Sequence, residues 1–390
     1  MDIELSTEDE AFRAEVRAFL DDNKFPGKGD YFTWRLEWFQ RAKDKGGWDV
    51  PKWPVEFGGP GWTPTQHFIW EQETARGGPP VDAPFGPGML APVLMHYGND
   101  EQRERFLPAI RARTVNWCQG YSEPGAGSDL AALKTKAELT EDGKHYLVNG
   151  TKIWTTIAHL ADWIFCLTRT DDSGIKQQGI TFLLIPMKQQ GVEVKPIITL
   201  GGAHTVNMVH FTDVLVPVEN RVGEEGQGWT YAKGLLQHER TGIAGISRSI
   251  VALEALKDKA RSVKRGNGSL LDEPAFKTKV AALEADLLAL EFTELRSLAT
   301  AQAGSDPGPE SSILKLKGTE IQQRIQKLTV EAGGIYSAAW GVTQPGPKFA
   351  RGGMQGYLAS RAYTIYGGAS EVQKDVIAKN VLGLKQQAKR

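Results

Sequence analysis

Cysteine is nearly missing from this chain of 390 residues: Cys118 and Cys166 are the only two, and they stand apart. Isolated thiols exclude a disulfide framework, and neither sits in a CxxC pair suited to zinc or redox exchange. The seven histidines show no HxxxH or HExxH spacing, so no metal site is expected. An excess of charge of one sign is missing too. Forty-six basic residues against 47 acidic ones leave a formal net charge of -1. With no Lys/Arg run, the chain lacks the field that nucleic acid or an anionic membrane would need. No apolar run approaches the roughly 20 residues that cross a bilayer. The acidic opening MDIELSTEDEAF lacks the basic-then-apolar order of a secretory leader. The expectation is a cytoplasmic protein with neither nucleic acid nor membrane as a partner. What remains, 41% hydrophobic and 24% charged, is ordinary globular material, long enough for two or three domains.

Three textures succeed one another along the chain. Residues 1–115 read as a helical domain with long connections. Ser6 and Asp9 make a capping box ahead of Phe12, Val16, Phe19 and Leu20, and Asn23 and Pro26 end that helix. Loops rich in Gly, Pro and Trp follow; further helices are predicted from Thr65 and over 101–110. Residues 116–227 change to a period of two with β-branched and aromatic enrichment. Asn149-Gly150, between HYLV and TKIW, predicts a type I′ hairpin. More strands are predicted at Trp163–Arg169, Ile180–Pro186, Val192–Ile198 and Val206–Phe211. Their short spacing points to an antiparallel barrel or sandwich-like domain and disfavours a parallel dinucleotide-binding sheet. Residues 228–390 return to helix, with apolar stripes at Phe276, Val280, Leu283, Leu287, Leu290 and at Ile313, Leu314, Ile321, Ile325, Leu328. The expected class is α+β: an N-terminal helical domain, a middle antiparallel β domain and a C-terminal helical bundle.

The most concentrated polar turn is GYSEPGAGSDLAA at 120–132. Its glycines let backbone amides approach a ligand, and Ser122 and Ser128 add hydroxyl donors, a composition suited to a planar or phosphorylated cofactor. The segment resembles the flavin signature of the acyl-CoA dehydrogenase family, with Tyr121 where an aliphatic residue is more usual. KIWTT at 152–156, FTDVLVP at 211–217 and YGGASEVQ at 366–373 resemble three more family motifs in the same order. Together they span nearly the whole chain.

The resemblance implies FAD as cofactor, an acyl-CoA as substrate and α,β-dehydrogenation to the trans-2-enoyl-CoA in fatty-acid, branched-acid or ring-compound breakdown. It also implies electron-transfer flavoprotein as acceptor and a homo-oligomer, a dimer or tetramer. The reaction needs a base for the α proton and a hydride acceptor, which no side chain provides. By the same resemblance Gln119, Tyr121, Ser122, Gly127 and Ser128 line the flavin, with Ser128 also near the acyl-CoA. Trp154, Thr155 and Thr156 cover its other side, and Ala369, Ser370 and Glu371 complete the contacts. Residue chemistry alone also allows Trp154 as the core aromatic of a hairpin and Glu371 as a solvated helix-start carboxylate.

Two departures from the family pattern matter. Many relatives carry a glutamate after the tyrosine of the C-terminal turn, whereas here Gly367 follows Tyr366. Other relatives place the glutamate before an arginine on the first helix of the C-terminal domain, and LLQHERTGIAG at 235–245 has that form. Glu239 is therefore the expected base, Arg240 the arginine that orients substrate, and Gly367 a backbone donor to the thioester oxygen. Leu235, Leu236, Ile243, Ile246 and Ile250 share the helical face of Glu239, and burial there would raise a carboxyl toward working pH. Spacing equally allows a Glu239–Arg248 ion pair and an exposed Arg240. Loss of the side chain at 367 would widen the pocket for a bulky acyl group.

The second departure concerns assembly. Relatives hold the cofactor pyrophosphate across subunits with an Arg-x-x-Phe-Gly segment and a glutamine before Gly-Gly. Here SVKRGNGS follows Arg261, and Val330 stands at the glutamine position. Either other groups such as Gly333 and Gly334 serve, or a different subunit completes the site, as in a heterotetramer with a second acyl-CoA dehydrogenase-like chain. A non-catalytic half-site subunit and an oxygen-using flavoenzyme are the other functional readings, and Glu239 argues against the latter.

Overall fold

The structure, a computed structural model, describes residues 5–80, 82, 84–234, 244–302, 308, 311–340 and 346–384. The first helix, α1 (Thr7–Asp22), starts at Ser6, whose Oγ accepts from the Asp9 amide at 3.1 Å. The Asp9 carboxylate takes the Ser6 hydroxyl at 2.7 Å instead of the Ser6 amide, so the reciprocal cap closes on itself. Phe12, Val16, Phe19 and Leu20 are buried as their spacing predicts. A helix absent from the sequence reading follows, α2 (Tyr31–Asp44), capped by the Asp30 carboxylate. Trp34, Trp38, Phe39 and Ala42 give it a buried face. These rings join Phe12, Phe19, Trp48, Trp62 and Trp70 in one aromatic core, with edge-on contacts such as Phe12–Trp62 at 5.2 Å. Capping boxes at Thr63/Gln66 and Asn99/Gln102 start α3 (Pro64–Gly77) and α5 (Asp100–Arg111), with α4 (Ala91–Tyr97) between them.

Seven strands form the middle sheet: β1 (Trp117–Gly120), β2 (Lys136–Leu139), β3 (His145–Thr156), β4 (Trp163–Arg169), β5 (Ile180–Pro186), β6 (Val192–Ile198) and β7 (His204–Pro217). Their order is β1-β4-β2-β3-β7-β6, with β5 on the free side of β4. Most pairings are antiparallel, but β4 runs parallel to β1 along four residues and to β2 at one point, so the sheet is mixed. The predicted hairpin at Asn149-Gly150 does not form. Both residues lie inside the single strand β3, and the turn before it is at Asp142-Gly143, where Gly143 takes φ +67°.

What Asn-Gly does instead follows from register. Asn149 stands against two residues of β7, and its side chain closes the bulge by bonding the Asp213 amide at 2.9 Å and its carboxylate at 3.0 Å. Gly150 has φ +152°, and a Cβ there would lie 2.6 Å from the Thr135 Cα. The glycine serves close approach of Thr135, the residue that leads into β2, not a turn.

The C-terminal helices are α6 (Ile246–Ser262), α7 (Pro274–Gln302), α8 (Ser311–Gly333), α9 (Gly353–Ala359) and α10 (Ser370–Asn380). The GNGS break becomes a two-residue hairpin of β8 (Lys264–Arg265) and β9 (Gly268–Ser269). Phe276, Val280, Leu283, Leu287 and Leu290 pack with Leu314, Ile321, Ile325 and Leu328 in one core. Two contacts seat the sheet between the helical parts. Gln102 Nε2 donates to the Glu219 and Arg221 carbonyls at 2.8 and 2.7 Å, and Gly202 lies so close to Trp340 that a Cβ would meet the ring at 2.5 Å. Among the described residues no helix is long and apolar enough to cross a membrane.

Gly150→Ala should lower stability by about 2 kcal/mol or more, because the new methyl meets the backbone of Thr135, whose carbonyl is held by the Arg169 amide. Urea unfolding measures this; an unchanged midpoint would mean that β2 and β3 are not so closely opposed.

Candidate functional site

The loop after β1 is tied to β3 by one buried charge. Lys152 is fully buried, and its Nζ donates to the Tyr121 carbonyl at 3.1 Å and to Glu123 Oε1 at 2.8 Å. The same carboxylate accepts from the Lys134 and Thr135 amides at 2.6 and 2.8 Å. Burial works to raise the Glu123 carboxyl, but Lys152 and these donors together bring it below its ordinary value of 4.5. Mutual backbone bonds between Glu123 and Ala126 close the Glu-Pro-Gly-Ala turn, and the Ile153 amide donates to the Ser122 carbonyl at 2.9 Å. Loop 119–128 and segment 152–156 are thereby brought together.

The residues at this junction meet the demands of a flat, hydrogen-bonding ligand. Gln119 Nε2 and Thr155 Oγ1 are buried with no hydrogen-bond partner among the described residues. Such groups are costly to leave unsatisfied. At Gly125 and Gly127 a Cβ would meet nothing within 4 Å, and Ser128 is exposed. Tyr121 is buried edge-on to Phe165 at 5.9 Å, which accounts for an aromatic at a usually aliphatic position. Trp154 is not a hairpin core residue. Ile153 and Trp154 bulge from β3 opposite Met208 alone, Trp154 takes φ +60°, and 59% of its surface is exposed. A non-glycine residue held left-handed is strained, and its indole face is open.

A second locus lies at the C-terminal turn. Gly367 and Gly368 have φ +62° and +89°, and Ala369 leads into α10 with Ser370 and Glu371 in its first turn. Another fully buried ammonium holds the turn: Lys315 Nζ donates to the Tyr363 and Gly368 carbonyls at 3.2 and 2.7 Å. Gln373 Nε2 also donates to the Gly368 carbonyl, at 3.3 Å. Of the two glycines considered for the pyrophosphate, Gly333 is filled by packing, since a Cβ would lie 3.0 Å from Ala350 Cβ. Gly334, at φ +54°, has nothing within 4 Å of that position. Glu239 and Arg240 lie outside the described residues. Sequence reasoning missed Lys152, Glu123 and Lys315 as organisers of the site; a lysine inside a strand of buried alternation was the available signal for the first.

Both cysteines are fully buried. Burial pushes the Cys166 thiol up to about 11 and raises Cys118 as well. Among the described residues no cluster of His, Cys, Asp and Glu could hold a metal ion.

Comparison with known proteins gives the same order of helical, sheet and helical parts. The family models described as acyl-CoA dehydrogenase N-terminal, middle and C-terminal domains match residues 6–113, 118–214 and 226–382. Acyl-CoA dehydrogenase IpdE1 of Mycobacterium tuberculosis is 36% identical over 397 residues, covering 97% of this chain and 99% of that protein. Acyl-CoA dehydrogenase FadE26 of the same organism is 34% identical, covering 98% and 99%. Among solved structures, the ChsE4-ChsE5 complex from Mycobacterium tuberculosis superposes with TM-score 0.84 at 32% identity, over 99% of this chain and 100% of that one. The Tcur3481-Tcur3483 steroid ACAD superposes with TM-score 0.85 at 30% identity, over the same shares.

Lys152→Met should cost about 3–5 kcal/mol at neutral pH, because it strands a buried carboxylate. The contribution of Glu123 is complete above the ordinary value of 4.5 and is lost as pH falls through its lower native value. The gap between wild type and variant in urea unfolding should therefore close on acidification. A gap that stays constant from neutral pH to below 4.5 would show that the pair is not held by charge.

Proposed function

The chain belongs to the acyl-CoA dehydrogenase family, whose members are oxidoreductases, and from that premise we propose that it uses FAD to convert an acyl-CoA thioester to its trans-2-enoyl-CoA. The observation that carries this reading is the junction of loop 119–128 with the Trp154 bulge, where Gln119 Nε2 and Thr155 Oγ1 are buried without partners beside an exposed indole. FAD, when bound, supplies the hydride acceptor that no side chain can provide.

The chain's own residues do the rest. Gln119, Tyr121, Ser122, Gly127 and Ser128 would hold the cofactor from the loop, Trp154, Thr155 and Thr156 from the strand, and Ala369, Ser370 and Glu371 from the C-terminal turn. Ser128 and Arg240 orient the acyl-CoA. Glu239 takes the α proton on its carboxylate; its apolar neighbours along the sequence, Leu235, Leu236, Ile243 and Ile246, favour a raised, more basic carboxyl. The Gly367 amide donates to the thioester oxygen, where a donor already oriented stabilises developing enolate charge. The left-handed Gly367-Gly368 pair and the Lys315 clamp support that orientation.

The absence of a side chain at Gly367 and the likeness to a solved steroid ACAD favour a bulky, ring-bearing acyl group in ring-compound breakdown over a simple fatty acyl chain. Electron-transfer flavoprotein is the proposed acceptor. A second assembly is favoured by Val330 at the glutamine position: in place of a homodimer or homotetramer, another acyl-CoA dehydrogenase-like chain completes the pyrophosphate site, and one of the superposing structures is itself a two-protein complex.

Glu239→Gln should keep flavin binding and slow dehydrogenation by roughly two to four powers of ten, because an amide keeps the shape and cannot take the proton. Anaerobic mixing of the flavin-loaded protein with an acyl-CoA, followed by flavin absorbance, reads this directly; bleaching at the wild-type rate would place the base elsewhere.

A further inference from the structure

Asn207 is fully buried where β7 faces the Trp154 bulge, and it stands directly opposite Thr155. Its Nδ2 donates to the Thr155 carbonyl at 3.0 Å and lies 3.1 Å from His159 Nδ1, while its Oδ1 lies 2.7 Å from His204 Nε2. These three contacts determine one another. A carbonyl only accepts, so the Thr155 contact identifies the nitrogen end of the amide. The second amide hydrogen then points at His159 Nδ1, which must present a lone pair and therefore be unprotonated. Oδ1 in turn needs the hydrogen on His204 Nε2.

The two imidazoles stack at 4.1 Å and 27°. His204 can take a proton on its other nitrogen and keep its bond, whereas His159 cannot. His159 sits in the single turn Ala158–Leu160, packed against β6 and β7. The other ionisable groups there face elsewhere. Glu193 and Lys195 pair at 3.1 Å, one residue out of step with Pro196, which is the residue opposite Asn207. His210 bonds Thr151, Asp213 bonds Asn149, and Asp162 bonds Lys188. The segment so held carries two non-glycine left-handed residues, Trp154 at +60° and Ile157 at +52°. Such backbone persists only where its surroundings over-determine it.

We propose that Asn207 is the positioning residue for the Trp154–Thr156 surface, and that protonation of His159 releases it. The step is a proton gained at His159 Nδ1 and a hydrogen bond lost from Asn207 Nδ2. The bond exists only while His159 Nδ1 presents a lone pair, so acid, to which a histidine side chain responds, is the perturbation that tests it. The consequence for cofactor retention rests on the reading that Trp154, Thr155 and Thr156 hold flavin.

Hydrogen–deuterium exchange over 153–157 in the full chain, normalised for intrinsic rates, is compared at about pH 7.5 and about pH 5.5. FAD release is followed in parallel by flavin fluorescence. In wild type, acid should speed exchange in this segment and weaken FAD retention about five- to tenfold, the worth of one hydrogen bond. Asn207→Ala and His159→Leu should show the loosened behaviour at both pH values. His159→Asn keeps an acceptor near the Nδ1 position and cannot titrate, so it should behave like neutral wild type throughout; this variant carries the test should Asn207→Ala not fold. Acid sensitivity that survives in His159→Asn, exchange that ignores pH in wild type, or FAD retention that ignores altered exchange overturns the proposal. Exchange arms that behave as expected in a protein that takes up no FAD leave the switch standing and sink the flavin reading instead.

Discussion

The site depends on one ammonium group that has no access to water. Lys152 Nζ sits between the Tyr121 carbonyl and the Glu123 carboxylate, and through them the loop after β1 is locked in register with β3. Burying such a pair is costly, and apolar residues of equal volume often stabilise a fold as well or better. Its value here is positional. An apolar side chain could fill the space but could not hold a carbonyl and a carboxylate at hydrogen-bond distance, and the open glycines at 125 and 127 would lose their fixed relation to the Trp154 bulge.

The same device recurs at the C-terminal turn, where buried Lys315 gathers the Tyr363 and Gly368 carbonyls around two left-handed glycines. Both halves of the proposed cofactor and substrate site are thus irregular backbone stabilised from behind by a buried cation. Irregular backbone presents unpaired amides and open ring faces, which regular strands and helices cannot do, and it needs support because its own hydrogen bonding is incomplete. The sheet supplies the frame: a bulge in β3 opposite Met208 turns Trp154 outward, and β7 restrains it through Asn207.

Much of the fold was legible in periodicity. The buried faces of α1, α7 and α8 follow their apolar spacing, and β4, β5 and β6 have the predicted bounds. The failures have physical causes. In α2 the stripe is made of Trp and Phe, residues of middling helix propensity between glycine-rich segments, so the spacing of Trp34, Trp38 and Ala42 was outweighed. Asn149-Gly150 misled because its asparagine closes a bulge in β7 and its glycine leaves room for Thr135, needs that call for the same residue types as a type I′ turn, while Asp142-Gly143 a few residues earlier carried the actual turn. The loop at 120–132, KIWTT and the C-terminal turn were legible as motifs, but their cohesion was not. Strand alternation hinted at the burial of Lys152, but no local pattern reveals what either Lys152 or Lys315 bonds, since that depends on carbonyls brought from distant segments.

The most direct test of the central claim is a crystal structure of the flavin-loaded protein at a resolution that shows ring orientation. The isoalloxazine should lie against the Trp154 indole, with its polar atoms within hydrogen-bond distance of Gln119 Nε2 and Thr155 Oγ1. A ring bound elsewhere, or ordered water satisfying both of those groups while Trp154 stays uncovered, would contradict it.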